Sequence, residues 1–219
     1  TVSMNALKEG IRVWDRDINR FLTSDYVPLY NPVEEYLYDT GRWDGKDRIR
    51  ALADLVPCHN PHWQELFYRW FLGMVAHWRG MDRQHGNNTS PLLVGSQGFR
   101  KSTFCRILLP PELRFGYTDS IDFKSKQEAE RSLGRFFLIN IDEFDQINAN
   151  QQGFLKHLLQ KPVANLRKPY GSTIQEMRRY ASFIGTSNLK DLLTDPSGSR
   201  RFICVEVQRP IDCTGIEHD

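Results

Sequence analysis

The sequence predicts an α/β fold: a largely parallel sheet with flanking helices, preceded by an all-helical N-terminal domain. Two observations predict it. Residues 1–88 carry helix-period apolar patterns with helix punctuation, whereas from 89 to 211 short β-like apolar runs alternate with helical segments. A polar, Gly/Asn/Ser-rich stretch, "RQHGNNTSP" (83–91), separates the two regimes and reads as a linker or boundary.

In the helical part, "NPVEEYLYDTG" places Asn31 as N-cap, Pro32 at the first helical position and Gly41 just past the end. "WDGKDRIRALADLV" gives a second amphipathic helix. A third begins with Asn60 as cap and Pro61 at the first position. Its Trp63, Leu66, Phe67, Trp70, Phe71, Met74, Val75 and Trp78 share one face. That aromatic stripe suits a helix–helix core better than a base-stacking platform, because so large an apolar face is too sticky to leave wet. Strand and helix then alternate. "PLLVG" precedes "KSTFCRILL", "FGYT" precedes "SKQEAERSLG", and "RFFLINID" precedes "NQQGFLKHLLQ". "YASFIGTSN" precedes "LKDLL", and "RRFICVEV" is a last strand. Residues 212–219 form a polar tail. Both ends read as cut, so a fragment of a longer chain is expected.

A length of 219 residues allows one large domain or two small ones. The net charge of +2 excludes a strong overall field for nucleic acid or anionic membranes, so any polyanion contact is local. No apolar run approaches the roughly 18 residues that span a bilayer, and the first residues do not read as a signal-peptide h-region. Cys58, Cys105, Cys204 and Cys213 are scattered without metal-ligand spacing and read as reduced thiols of a cytoplasmic protein. "CHNPH" (58–62) is explained by a capped helix start rather than by a metal. His77 and His157 sit in helical segments and read as core or surface.

The chemistry concentrates in four places. "LLVGSQGFRKSTF" nearly spells a phosphate-binding loop, Gly, four residues, Gly, Lys, Ser/Thr. Gly95, Lys101 and Ser102 fit, but Arg100 holds the second glycine's place. The loop lies between a strand and a helix, where backbone N–H groups can face an anion. Gly95, Ser96, Gln97, Gly98, Phe99, Arg100, Lys101, Ser102 and Thr103 are therefore expected to hold nucleotide. Lys101 would reach the β/γ-phosphates and Ser102 would hold Mg²⁺. "FFLINIDEFD" delivers two acids to a strand end, Asp142 for the metal and Glu143 as general base. Alternatively the two acids cap the next helix. "YASFIGTSN" ends in Thr186, Ser187 and Asn188, where an amide can bond the γ-phosphate or lytic water, or cap the following helix. "DPSGSRRF" brings Arg200 and Arg201 to the last strand, as transition-state cations or as solvated surface charge. The order of the four parts is that of a ring-forming P-loop NTPase.

These residues, with "RWDGKDRI", "LRKPYGSTIQEMRRYASFIGTSN" and "SGSRRFICVEV", make the chain resemble the virulence-associated E family over roughly 35 to 208. These are phage- and mobile-element-linked P-loop NTPases related to superfamily 3 helicases of the AAA+ class. The resemblance implies a replication-type ATPase motor or helicase using ATP and Mg²⁺, assembled as a homo-oligomeric, hexameric ring. It makes Asn188 the sensor residue and Arg200 or Arg201 the arginine finger. It also places a pore-facing hairpin at "LRKPYGSTIQEMRRY". There Arg167, Lys168, Tyr170, Arg178 and Arg179 are expected to grip single-stranded DNA through phosphate pairing and stacking, or else merely to solvate the hairpin. The departure is Arg100: if the loop keeps its usual shape, a side chain there costs about 1–3 kcal/mol. Two rival readings stand beside the motor. In one, the loop is degenerate and the fold serves as a nucleotide-binding regulatory or scaffold module. In the other, a small-molecule phosphotransferase, no second-substrate pocket is legible.

Overall fold

In the computed structural model, the Asn31 side chain accepts from the N–H groups of Val33 (3.1 Å) and Glu34 (3.4 Å), opening a helix at Pro32 as expected. The structure describes residues 2–28, 30–167, 174–189 and 199–214. Helices α1 (Val2–Lys8), α2 (Asp15–Leu22), α3 (Pro32–Asp39), α4 (Arg48–Asp54) and α5 (Trp63–Arg79) come first, with no strand among the described residues before Ser90. The start of α5 differs from expectation. Asn60 Oδ1 accepts from His62 N (2.9 Å) and Asn60 O from Trp63 N (3.1 Å), a tight turn that delays the helix from Pro61 to Trp63. Gly80, left-handed at φ 65, ends it.

Strands β1 (Ser90–Val94), β2 (Tyr117–Thr118), β3 (Leu138–Ile141), β6 (Ser182–Ser187) and β7 (Phe202–Glu206) form one sheet in the order β2-β3-β6-β1-β7. Every pairing in it is parallel. The intervening β4 (Val163–Arg167) and β5 (Ile174–Arg178) pair antiparallel as a separate hairpin. Its expected turn at Pro169–Ser172, and the helix expected at "LKDLL", lie outside the described residues. Helices α6 (Lys101–Ile107), α7 (Lys126–Arg135) and α8 (Ala149–Gln160) complete the α/β alternation.

Both faces of the sheet are covered, which explains the apolar runs in its strands. On one face Phe67, Trp70, Met74 and Trp78 of α5 join Leu93, Phe104, Ile184 and Val205 in a single core that includes Val33 of α3 and Ala53 of α4. The aromatic stripe is therefore core. On the other face Leu155, Leu158 and Leu159 of α8 meet Leu92, Ile139 and Phe183. Residue 88 thus marks a change of element type rather than a break in the core, since α3 to α5 pack into the same cluster as the sheet. Helices α1 and α2 bury no residue.

Strand register decides which side chains share an edge of the sheet. Val94 pairs with Ser187 and Glu206, and Ile141 with Gly185. The residues after β1, β3 and β6 therefore emerge together at one edge. Ser90 pairs with Phe202 at the opposite edge.

Candidate nucleotide site and its surroundings

The loop after β1 begins at a glycine for a steric reason: a Cβ on Gly95 would lie 2.9 Å from Val207 O. It ends at Arg100, with φ 59 and ψ 27, and α6 starts at Lys101. Arg100 and Glu143 (φ 49) are the two described non-glycine residues with positive φ, and both are at this site. A left-handed conformation costs an ordinary side chain about 1–2 kcal/mol, so the chain concentrates its backbone strain here. The loop has kept its glycine-type shape with arginine in place.

The Lys101 ammonium folds back into the loop. Nζ donates to Gly95 O (2.7 Å), Ser96 O (2.9 Å) and Asn188 Oδ1 (3.1 Å). Burial pushes its pKa down, and the nearby carboxylates of Asp142 and Asp145 pull it partly back. Ser102 Oγ donates to Asp142 Oδ1 (2.9 Å), and Thr186 Oγ1 donates to the same oxygen. The sheet order produces this meeting, because β6 lies between the loop strand and the acid strand. Residues 97–103, Asp142, Glu143 and Thr186 to Asn188 surround one cavity of about 360 Å³. Its volume falls in the range of small-ligand pockets. A hydroxyl and a carboxylate side by side offer hard oxygen donors, the set that Mg²⁺ accepts together with substrate phosphates.

Asp145 is the residue that sequence reasoning missed. Its Oδ1 accepts from Ser187 Oγ (2.6 Å) and Asn188 N (3.2 Å), fixing the tip of β6. Burial raises its pKa, but these hydrogen bonds outweigh that and hold the carboxyl below the usual range. The second aspartate of "IDEFD" was its signal. Thr186, read as part of a polar strand end, is a direct partner of Asp142. The segment after β7 also borders the loop: Val207 N donates to Val94 O (2.7 Å) and Ile211 N to Phe99 O (3.0 Å).

Other expected residues lie elsewhere. Arg200 and Arg201 precede β7 at the edge occupied by Ser90. They stand a strand's length, roughly 13 Å or more at 3.3 Å per residue, from the edge that carries the loop. Arg178 and Arg179, expected at the DNA, are engaged by helix ends. Arg179 is 1% exposed. Its Nη1 donates to the carbonyls of Leu158 (3.1 Å) and Leu159 (2.9 Å) at the end of α8, and its Nε to Ala181 O (2.7 Å). Burial pushes its pKa down to about 9. Arg178 donates to His77 O (3.3 Å) and to Trp78 O at the end of α5, and its guanidinium lies over Tyr180. Each arginine thus caps a different helix C-terminus. Arg167 closes β4, while Lys168 and Tyr170 lie outside the described residues.

Residues 37–219 match the family model described as the virulence-associated protein E-like domain. Among solved structures, the chain is similar to an apo structure of the NrS-1 C terminal region. The TM-score is 0.51 at 15% identity, covering 87% of this chain and 41% of that one. The A form apo structure of the same region gives 0.52 at 15%, covering 77% and 40%. The chain therefore spans about two fifths of these structures, and the likeness shows the fold alone. The JCV helicase structure, at TM-score 0.43 and 12% identity over 82% of this chain and 49% of that one, is too distant to carry an argument. No curated protein matches the chain in sequence. No helix among the described residues is long and apolar enough to cross a membrane.

Proposed function

The chain belongs to the virulence-associated protein E-like family, and from that premise we propose that it is the ATP-hydrolysing motor domain of a DNA helicase or translocase. The observation that carries the reading is the convergence of Lys101, Ser102, Asp142, Glu143 and Asn188 on one cavity. Lys101 and the loop amides cradle the phosphates. Ser102 and Asp142 would hold Mg²⁺, which would supply positive charge to offset that of the phosphates. Glu143, which lines the same cavity, takes a proton from the attacking water. Asn188, already on Lys101 Nζ, senses the γ-phosphate. Arg200 or Arg201 serves a neighbouring copy's site in a ring, a role that their distance from their own loop favours. Arg167, Lys168 and Tyr170 hold single-stranded DNA.

Replacing Glu143 with Gln tests the assignment. The variant should bind ATP as the parent does and release phosphate at least about 100-fold more slowly. Equal turnover in the two would remove Glu143 from the mechanism. A regulatory module with a degenerate loop is the second reading, favoured by the strain at Arg100. It expects Arg100→Gly to create turnover absent from the parent.

A further inference from the structure

The segment Arg42 to Arg48 takes no part in the nucleotide site. It lines a cavity of about 630 Å³ beside α3 and the end of α5, also within the size range of ligand pockets. The segment is locked from within. Asp44 Oδ1 accepts from Lys46 N (2.9 Å), Gly45 turns through φ 87, and Arg48 forks onto both Asp44 oxygens at 2.8 and 2.9 Å. Hydrogen bonds from Arg48 and the Lys46 backbone hold the Asp44 carboxyl well below the usual range. Trp43 Nε1 donates to Lys46 O (2.9 Å), fixing the indole while the residue stays 78% exposed.

Ordering a large ring without burying it gives up side-chain entropy and leaves apolar surface in water. The arrangement makes sense if the ring is preorganised for a flat partner. Tyr38, 86% exposed, lines the same cavity. So do Arg42 and Arg79, which make no ion pair among the described residues.

We propose that this cavity is a second contact for single-stranded nucleic acid, in which an unpaired base stacks on Trp43 and adjoining phosphates pair with Arg42 and Arg79. Stacking on an aromatic face with flanking cations is the chemistry of sequence-tolerant single-strand binding. An apolar protein segment would instead desolvate two guanidinium groups without pairing them. The site stands apart from ATP hydrolysis and from the hairpin.

The test is anisotropy titration of a labelled oligo-dT with the full chain and no nucleotide, over a range of salt. Trp43→Ala should weaken binding roughly tenfold or more, and Trp43→Phe should restore most of it. Arg42→Ala/Arg79→Ala should reduce the slope of log affinity against log salt by about 1.4, at roughly 0.7 per phosphate contact. Trp43 is exposed, so an unchanged melting temperature separates the effect from misfolding. The proposal is overturned if the parent fails to bind oligo-dT, or if Trp43→Ala binds it as the parent does. It is equally overturned if Trp43→Ala changes only sedimentation, which would make this face a contact between copies.

Discussion

Ser102 Oγ lies 2.9 Å from Asp142 Oδ1, although the two residues come from different strand–loop units. Thr186, from the strand between them, donates to the same oxygen. Three neighbouring strands of a parallel sheet thus deliver a loop hydroxyl, an acid and a threonine to one point. All three sit at the sheet's carboxyl edge, where ligands of open α/β sheets bind.

Arg100 makes a stability prediction independent of activity. Replacing it with Gly relieves about 1–2 kcal/mol of left-handed strain and returns roughly 0.5–1 kcal/mol of chain entropy to the unfolded state. Arg100→Gly should therefore be more stable than the parent by about 1 kcal/mol or less. Arg100→Ala keeps the same φ and should gain nothing. Urea unfolding of the three proteins decides it.

The left-handed backbone at Arg100 was legible in the sequence, since a glycine slot in a phosphate loop specifies the backbone whatever residue fills it. The parallel sheet was legible too, because strand and helix periods alternate without a break. The arginines at the hairpin root were not. "MRRY" gives two charges next to an aromatic, and only the approach of α5 and α8 reveals that carbonyls absorb both. Helix termini brought together by tertiary packing leave no local signal. Asp145 had a signal in the second aspartate of "IDEFD", but its partners, Ser187 and Asn188, are set by where β6 ends.

His77 should make stability depend on pH. It is buried, and its Nε2 accepts from Asn87 N (2.9 Å). Burial first, then the charges of Arg179 and Arg178, push its pKa from the ordinary 6.5 down to about 4. Between those values the unfolded chain binds a proton that the folded chain refuses. This contribution to stability is therefore level above pH 6.5 and falls as pH is lowered toward 4. His77→Gln keeps an acceptor for Asn87 and should flatten that stretch of a melting-temperature profile.

The buried arginine and the residues proposed to hold DNA should separate cleanly. Arg179→Met orphans carbonyls at the end of α8 and should cost roughly 2–4 kcal/mol in chemical denaturation. Alanine at Arg167, Lys168 or Tyr170 should leave stability within about 0.5 kcal/mol and weaken binding of single-stranded DNA. A stable Arg179→Met protein with lost DNA binding would reverse the assignment.

The distance between Arg200/Arg201 and their own loop predicts complementation between copies. Arg200→Ala/Arg201→Ala should be inactive, and so should Lys101→Ala. Mixed at concentrations that favour assembly, the two should recover part of the parent turnover, because some interfaces then pair an intact loop with intact arginines. No recovery at any ratio would place the arginines outside the reaction.

Whether the chain is a motor is decided by phosphate release from MgATP by the parent and by Lys101→Ala, with and without single-stranded DNA, over a range of protein concentrations. A motor gives turnover that rises with DNA and with assembly and disappears with Lys101→Ala. Turnover that survives Lys101→Ala, or a parent that binds ATP but releases no phosphate under any of these conditions, would show that it is not one.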